Sequence, residues 1–326
     1  MRTTFLLCLA SGLALSAAEF PDAQISNGSI KAKLYLPDAQ KGYYQATRFD
    51  WSGVISSLEY RGHNYFGVWF PKYDPKLHDA ITGPVEEFRT GESALGYNDA
   101  KVGETFIRIG VGLLRKPEEP RFQQFKTYEI ADNGKWTVHT HPDSVEFIQD
   151  LTDKSSGYGY QYRKVVRLEK NQPRMLIEHS LKNTGKKLIE TNVYNHGFFV
   201  IDGQPSGPDF AVTFPFEPKA MQDLRGLAET RGKELTYLKE LEAPRQSVFT
   251  EVTGYGDSAS DFDIRIENKK VGAGVRIRAD KPLWKVNFWS IRTTVCPEPF
   301  INMKIEPGKE STWKLSYDFY TLPTNK

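Results

Sequence analysis

The stretch Ser29–Leu36, SIKAKLYL, alternates apolar and polar residues one by one. A period of two puts Ile30, Ala32, Leu34 and Leu36 on one face, as in a strand with one face buried. The same alternation recurs outward from it. Val54–Tyr60 and Tyr65–Phe70 flank Arg61-Gly62-His63-Asn64, which reads as a hairpin. Further runs cover Phe106–Leu113, Gln124–Ile130, Trp136–His139, Val145–Ile148, Tyr160–Leu168, Met175–Leu181 and Leu188–Ile201. Val248–Thr253, Phe262–Glu267, Ala273–Ile277, Trp284–Trp289 and Trp313–Tyr320 follow. Asp132-Asn133-Gly134, Asn171-Gln172-Pro173 and Asn183-Thr184-Gly185 punctuate them as turns. Roughly fifteen short strands at regular spacing predict an all-β fold, a large antiparallel β-sandwich. One segment differs. Glu217–Leu241 is rich in Lys, Glu, Leu and Ala and reads as a short helical insertion, interrupted at Gly226 and Gly232.

Before the first of these strands the chain reads as a secretory signal. Arg2 supplies a positive start, Phe5–Leu15 an apolar run, and Ser16-Ala17-Ala18 a small-residue exit. The expected division is therefore residues 1–18 as signal peptide and 19–326 as a single domain, exported to the periplasm or outside the cell. The apolar run is shorter than the ~20 residues a membrane span needs, and no later run reaches that length. Net charge is +2, from 43 basic and 41 acidic residues. That balance offers no field for nucleic acid or an anionic membrane. Past residue 18 the only cysteine is Cys296, so no intramolecular disulfide forms there. A chain this long can rely on its core instead.

No phosphate loop, nucleophile elbow or His-Glu-x-x-His occurs. His139-Thr140-His141 places two imidazoles on one strand face, but no third ligand has matching spacing, so no metal is expected. No cofactor is expected either. Aromatics make up 13% of the chain, which suits sheet faces and is compatible with stacking on sugar rings. Two segments concentrate chemistry. Asn192–Asp202, NVYNHGFFVID, sets Asn195-His196 among aromatics. Thr293–Gly308, TTVCPEPFINMKIEPG, sets Glu298 between Pro297 and Pro299. Prolines on both sides restrict the backbone and are expected to leave Glu298 off a regular ladder. Each alone has a bland explanation: a satisfied core histidine, a loop glutamate.

Together the two segments resemble the aldose 1-epimerase, or galactose mutarotase-like, family. That family carries Asn-His followed by aromatics in mid-chain, then Cys-x-Glu-Pro ending an apolar strand near the C-terminus. Here Asn195-His196-Gly197-Phe198-Phe199 and Cys296-Pro297-Glu298-Pro299 stand in that order. Pro307-Gly308-Lys309-Glu310 and Trp313–Tyr320 follow as the family's turn and last strand do. Trp51–Leu58 is similar to its early strand pair, and Gly157-Tyr158-Gly159-Tyr160 to its Gly-Tyr segment. The resemblance covers most of the chain after residue 18. It implies the family's supersandwich fold, a small-molecule or oligosaccharide sugar as partner, and interconversion of sugar anomers without a cofactor. Glu298 would take the proton of the C1 hydroxyl and His196 would donate to the ring oxygen. The two groups are expected to lie about a sugar ring apart. Asn195 would orient His196 or a sugar hydroxyl, and Phe199, Trp284 or Trp289 could form a platform. The family's Leu-His-Gly-Gly segment is absent. His78 and His141 are the nearest substitutes, and Arg108 and Arg115 are candidates by position for its substrate-binding arginine. Three readings stay open: an epimerase, an idle or differently acting sugar-binding protein of the same fold, and a polysaccharide-processing enzyme on a related sandwich.

Overall fold

The computed structural model describes residues 20–323. The signal-peptide reading lies outside them. Ten antiparallel strands form one sheet, in the order Ala228–Arg231, Glu234–Tyr237, Phe210–Thr213, Asp263–Asn268, Ala273–Ala279, Glu310–Thr321, Arg174–Asn183, Gly159–Leu168, Ser144–Thr152, Lys135–His141. Six form a second, in the order Lys219–Ala220, Ser247–Thr253, Lys285–Ile291, Thr294–Ile305, Ile189–His196, Val85–Arg89. Smaller sheets of four and three strands complete the fold. The opening stretch behaves as its alternation requires: Ile30, Ala32 and Leu34 are buried and Lys31 is exposed. The two large sheets face each other. Phe88 of the six-stranded sheet meets Tyr162 and Trp313 of the ten-stranded one at ring-centroid distances of 5.3 and 6.1 Å.

Four expectations need correction. The hairpin at Arg61–Asn64 is tighter than expected: Val54–Tyr60 pairs with His63–Asn64 around Arg61-Gly62, and Tyr65–Phe70 forms no strand. Glu217–Leu241 contains no helix. Ala228–Arg231 and Glu234–Tyr237 pair as a hairpin around Gly232-Lys233. Leu235 and Tyr237 are buried while Glu234 and Thr236 are not, a period of two that outweighs the helical propensity of the residue types. Arg225, Gly226 and Gly232 all have positive φ, which a helix cannot contain. Phe106–Leu113 is two strands, Thr105–Arg108 and Gly112–Arg115, because the chain reverses between them. At Gly110, φ is 81° and a Cβ would lie 2.6 Å from Oδ1 of Asp50. Of Gln124–Ile130 only the end enters a strand, Ile130–Asp132. The preceding loop carries Pro117 and Pro120, and it is held off the sheet by Glu119. That carboxylate accepts from the hydroxyls of Tyr97 and Tyr128, each at 2.8 Å, and from Lys126 at 2.9 Å.

Buried charge sits between the large sheets. Lys164 is fully buried and pairs with Glu86, with Asp50 at 3.4 Å and with the carbonyl of Ser52 at 2.8 Å. His179 Nε2 lies 3.0 Å from Glu86 Oε1, and its ring stacks on Trp313 at 4.6 Å. Burial works against ionisation of Glu86, but Lys164 and His179 outweigh it and hold the carboxyl at about 2. Removing the one ammonium would leave two carboxylates buried without their main counter-charge. Lys164→Met is expected to cost about 3–5 kcal/mol in urea denaturation, with part recovered when Glu86→Gln is added to the same chain. A single-mutant cost under about 1 kcal/mol would contradict this reading of the cluster.

Candidate active site

The Ile189–His196 strand pairs with Thr294–Ile305 from Ile189↔Ile305 to Tyr194↔Phe300. Beyond its end, Phe199 and Val295 exchange two backbone hydrogen bonds of 3.2 Å. Both pairings keep one register, so His196 falls opposite Glu298 although no ladder bond joins them. The reason lies in the two prolines. Hydrogen-bonding direction alternates along a strand, so Pro297 and Pro299 face the same neighbour as Val295, yet have no N–H to offer. On its other side Glu298 keeps a regular place, opposite Asn287. The expectation that it leaves the ladder is therefore correct on one side only.

The missing bonds free the chain at Gly197 and Phe198. Phe198 adopts φ 42°, a left-handed conformation that costs a bulky residue ~1–3 kcal/mol and persists only where surrounding packing fixes it. At Gly197 a Cβ would meet Phe199 Cε2 at 2.4 Å, so this detour admits only glycine. The result folds the Phe198 ring flat over His196, with centroids 3.7 Å apart and planes 7° apart. Phe49 and Trp289 meet the imidazole edge-on, at 5.6 and 5.7 Å.

In this aromatic cage Nε2 of His196 lies 3.2 Å from Oε1 of Glu298. Oε2 of Glu298 receives Nδ2 of Asn287 at 3.4 Å. The two groups touch, where a ring's width was expected. Burial pushes the Glu298 carboxyl up to about 7, against the opposing pull of Arg48. Burial, helped by the Arg48 charge, pushes His196 well below the usual histidine value, so the imidazole is neutral at neutral pH. Nδ1 of His196 is buried without a partner. Hydrogen-bond logic then assigns the proton to Nε2, facing the carboxylate.

Glu298 and His196 form the floor of a cavity of about 460 Å³ whose walls include Arg48, His78, Gln124 and Trp289. Arg48 is the central cation. It donates to Glu87 and Asp79 at 2.9 Å each and to the Tyr194 hydroxyl at 3.3 Å. A guanidinium has five N–H groups, so two remain for a ligand. Burial opposes ionisation of Glu87, but Arg48 and Arg108 hold it at about 2, so the arginine is charge-balanced from behind.

The other predicted residues fall as follows. His78 enters the cavity wall, with Nε2 3.1 Å from Asp79. Asn195 does not, because alternation sends it to the opposite face from His196. There it donates to Glu86 at 3.0 Å and accepts from the Tyr317 hydroxyl. Arg108 lies behind the site, donating to the carbonyls of Thr47 and Arg48 and to Glu87. Arg115 is an exposed residue 3.1 Å from Glu129, outside the cavity. His141 is exposed on the edge strand Lys135–His141. Neither it nor His139 joins a metal-binding group among the described residues. Phe199 packs into the core on Phe66, and half-exposed Trp284 edges Phe300, leaving Trp289 as the cavity aromatic of the three. Sequence reasoning missed Arg48, Asn287 and Gln124. Arg48 had a faint signal, since it stands three residues before Trp51-Ser52-Gly53 among Phe49 and Asp50.

No family profile and no curated protein matches this sequence. Solved structures do match its fold. A galactose mutarotase-like protein from Clostridium acetobutylicum superposes with a TM-score of 0.56 at 14% identity, over 92% of this chain and 95% of that one. One from Lactobacillus casei gives 0.56 at 12% identity, over 92% and 100%. Galactose 1-epimerase from Lactobacillus acidophilus gives 0.53 at 8% identity, over 93% and 95%. With more than nine-tenths of the chain matched in each of these structures, the chain has the galactose mutarotase-like β-sandwich fold.

Proposed function

We propose that this chain is an aldose 1-epimerase-like enzyme that interconverts the anomers of a reducing sugar. The observation that carries the proposal is the His196–Glu298 contact at the floor of an open, polar cavity. Mutarotation takes a proton from the anomeric hydroxyl and delivers one to the ring oxygen. Both oxygens are bonded to the same carbon, so an acid and a base in mutual contact can each face one of them. Glu298, ionised above pH 7, takes the hydroxyl proton. In the same step Nε2–H of His196 passes its proton to the opening ring oxygen while the proton taken by Glu298 moves across to Nε2, so both groups are restored and no imidazolate forms. Rotation about C1–C2 and the reverse transfers close the other anomer. His78 and the free N–H groups of Arg48 are placed to hold sugar hydroxyls. His78 in the wall favours the enzyme over an idle binder, because it stands in for the histidine that the absent Leu-His-Gly-Gly segment would have supplied.

Four outcomes are expected. Glu298→Gln should abolish anomer exchange followed by polarimetry while leaving sugar affinity within a few-fold, because an amide keeps the shape but accepts no proton. His196→Asn should lower kcat about 10²–10⁴-fold with a smaller change in KM. If wild type exchanges no reducing sugar faster than buffer yet binds one, the chain is a binder. The pH profile has a definite sign. The base must be ionised, so kcat/KM should rise through about pH 7 and then level, reporting the free enzyme's Glu298. A flat profile between pH 5 and 9 would assign the base elsewhere. Stability should run the opposite way. Glu298 keeps its proton to about 7 in the folded state against a usual 4.5, so folding is favoured in full below about 4.5. That advantage is lost as pH rises to about 7, by roughly 3 kcal/mol. At pH 8, Glu298→Gln should therefore unfold at higher urea than wild type, and at pH 4 the difference should vanish.

A further inference from the structure

The cavity runs on past the reacting pair. Across the six-stranded sheet, Glu298 sits opposite Asn287, and Asn287 opposite Glu251 on Ser247–Thr253. On the same strand and the same face, Phe249 stands opposite Trp289, the aromatic that edges His196. Neighbouring strands lie ~4.8 Å apart, so Phe249 and Glu251 are roughly 10 Å from the strand bearing Glu298. That is further than a single pyranose seated over the catalytic pair can reach. Phe249 nonetheless lines the cavity and is 47% exposed, while Val248 and Thr250 beside it are buried. Glu251 and Lys285 form an ion pair of 3.2 Å next to it, each a little over a third exposed. An open aromatic face beside a partly exposed acceptor and donor is what a sugar ring needs: stacking for its C–H face and partners for its hydroxyls. A lone exposed phenylalanine is ordinary on a protein surface. This one lines the catalytic cavity, at the right offset, with the polar pair alongside.

We propose that the cleft holds a second saccharide unit next to the reacting ring, seated on Phe249 with its hydroxyls against Glu251 and Lys285. The substrate class is then the reducing end of an oligosaccharide. This rests on the epimerase reading of the site and adds to it.

The test compares anomer-exchange kinetics, by NMR, for glucose against cellobiose and maltose, and for galactose against β-1,4-galactobiose. At least one disaccharide is expected to exceed its monosaccharide about tenfold in kcat/KM. Phe249→Ala should pull that ratio toward one, and Phe249→Tyr should keep it. The proposal is overturned if no disaccharide exceeds its monosaccharide, or if Phe249→Ala lowers both together and leaves the ratio intact. Should wild type accelerate none of these sugars, the catalytic reading fails by itself and the subsite is read from binding. Calorimetric affinity higher for a disaccharide than for its monosaccharide, and cancelled by Phe249→Ala, supports the subsite. Equal affinities, or a disaccharide advantage that survives the substitution, overturn it.

Discussion

The position of His196 against Glu298 depends on a strand register held from both ends and released in the middle. Tyr194↔Phe300 fixes one end and Phe199↔Val295 the other. Between them Pro297 and Pro299 withhold two donors, so the ladder opens without slipping. Prolines are otherwise costly inside a sheet. Here they make a gap in the backbone bonding just wide enough for a side-chain pair to occupy. The residues around that gap set the environment of the pair. Phe198 covers the imidazole, Asn287 steadies the carboxyl, and Arg48 supplies positive charge at a distance that biases both groups.

Two buried arrangements of charge divide the labour. On the core side, Glu86 is locked by Lys164 and His179, and through Asn195 it grips the strand that carries His196. On the pocket side, Glu87 balances Arg48 and Arg108 and receives the Tyr194 hydroxyl. Both carboxylates are held near 2, far from working pH. Glu298 lacks a close cation and rises to about 7, and Asp50, which shares Lys164 with Glu86, is raised by burial as well. The contrast has one cause: pairing keeps a buried carboxylate ionised, and isolation lets desolvation raise it.

The sandwich was legible because its strands alternate. Ile30, Ala32 and Leu34 report their buried face directly. The reading broke where residue type and backbone geometry disagreed. Glu217–Leu241 has a helix-former's composition, but its positive-φ positions and its period of two make a hairpin. Phe106–Leu113 looks continuous because hydrophobicity does not register a chain reversal at Gly110. In the site, Glu298 and His196 stood out through the company they keep in sequence. Asn195 was misread because adjacency in sequence means opposition across a strand. Arg48 and Gln124 were hidden because they come from loops, where no periodicity announces which way a side chain turns. Arg108 and Arg115 were chosen by position along the chain, and position carries no information about burial.

Glu86 and Glu87 are consecutive residues of one strand, Val85–Arg89, with their side chains committed to opposite sides of the sheet. A shift of the strand by one residue would put Val85 in the place of Glu86 beside Lys164, or Phe88 in the place of Glu87 beside Arg48. Either way one buried cation loses its carboxylate. The strand therefore resists insertion and deletion far more than substitution. Length variation among proteins built on this plan should accumulate in the turns at its two ends, leaving the consecutive pair Glu86-Glu87 intact.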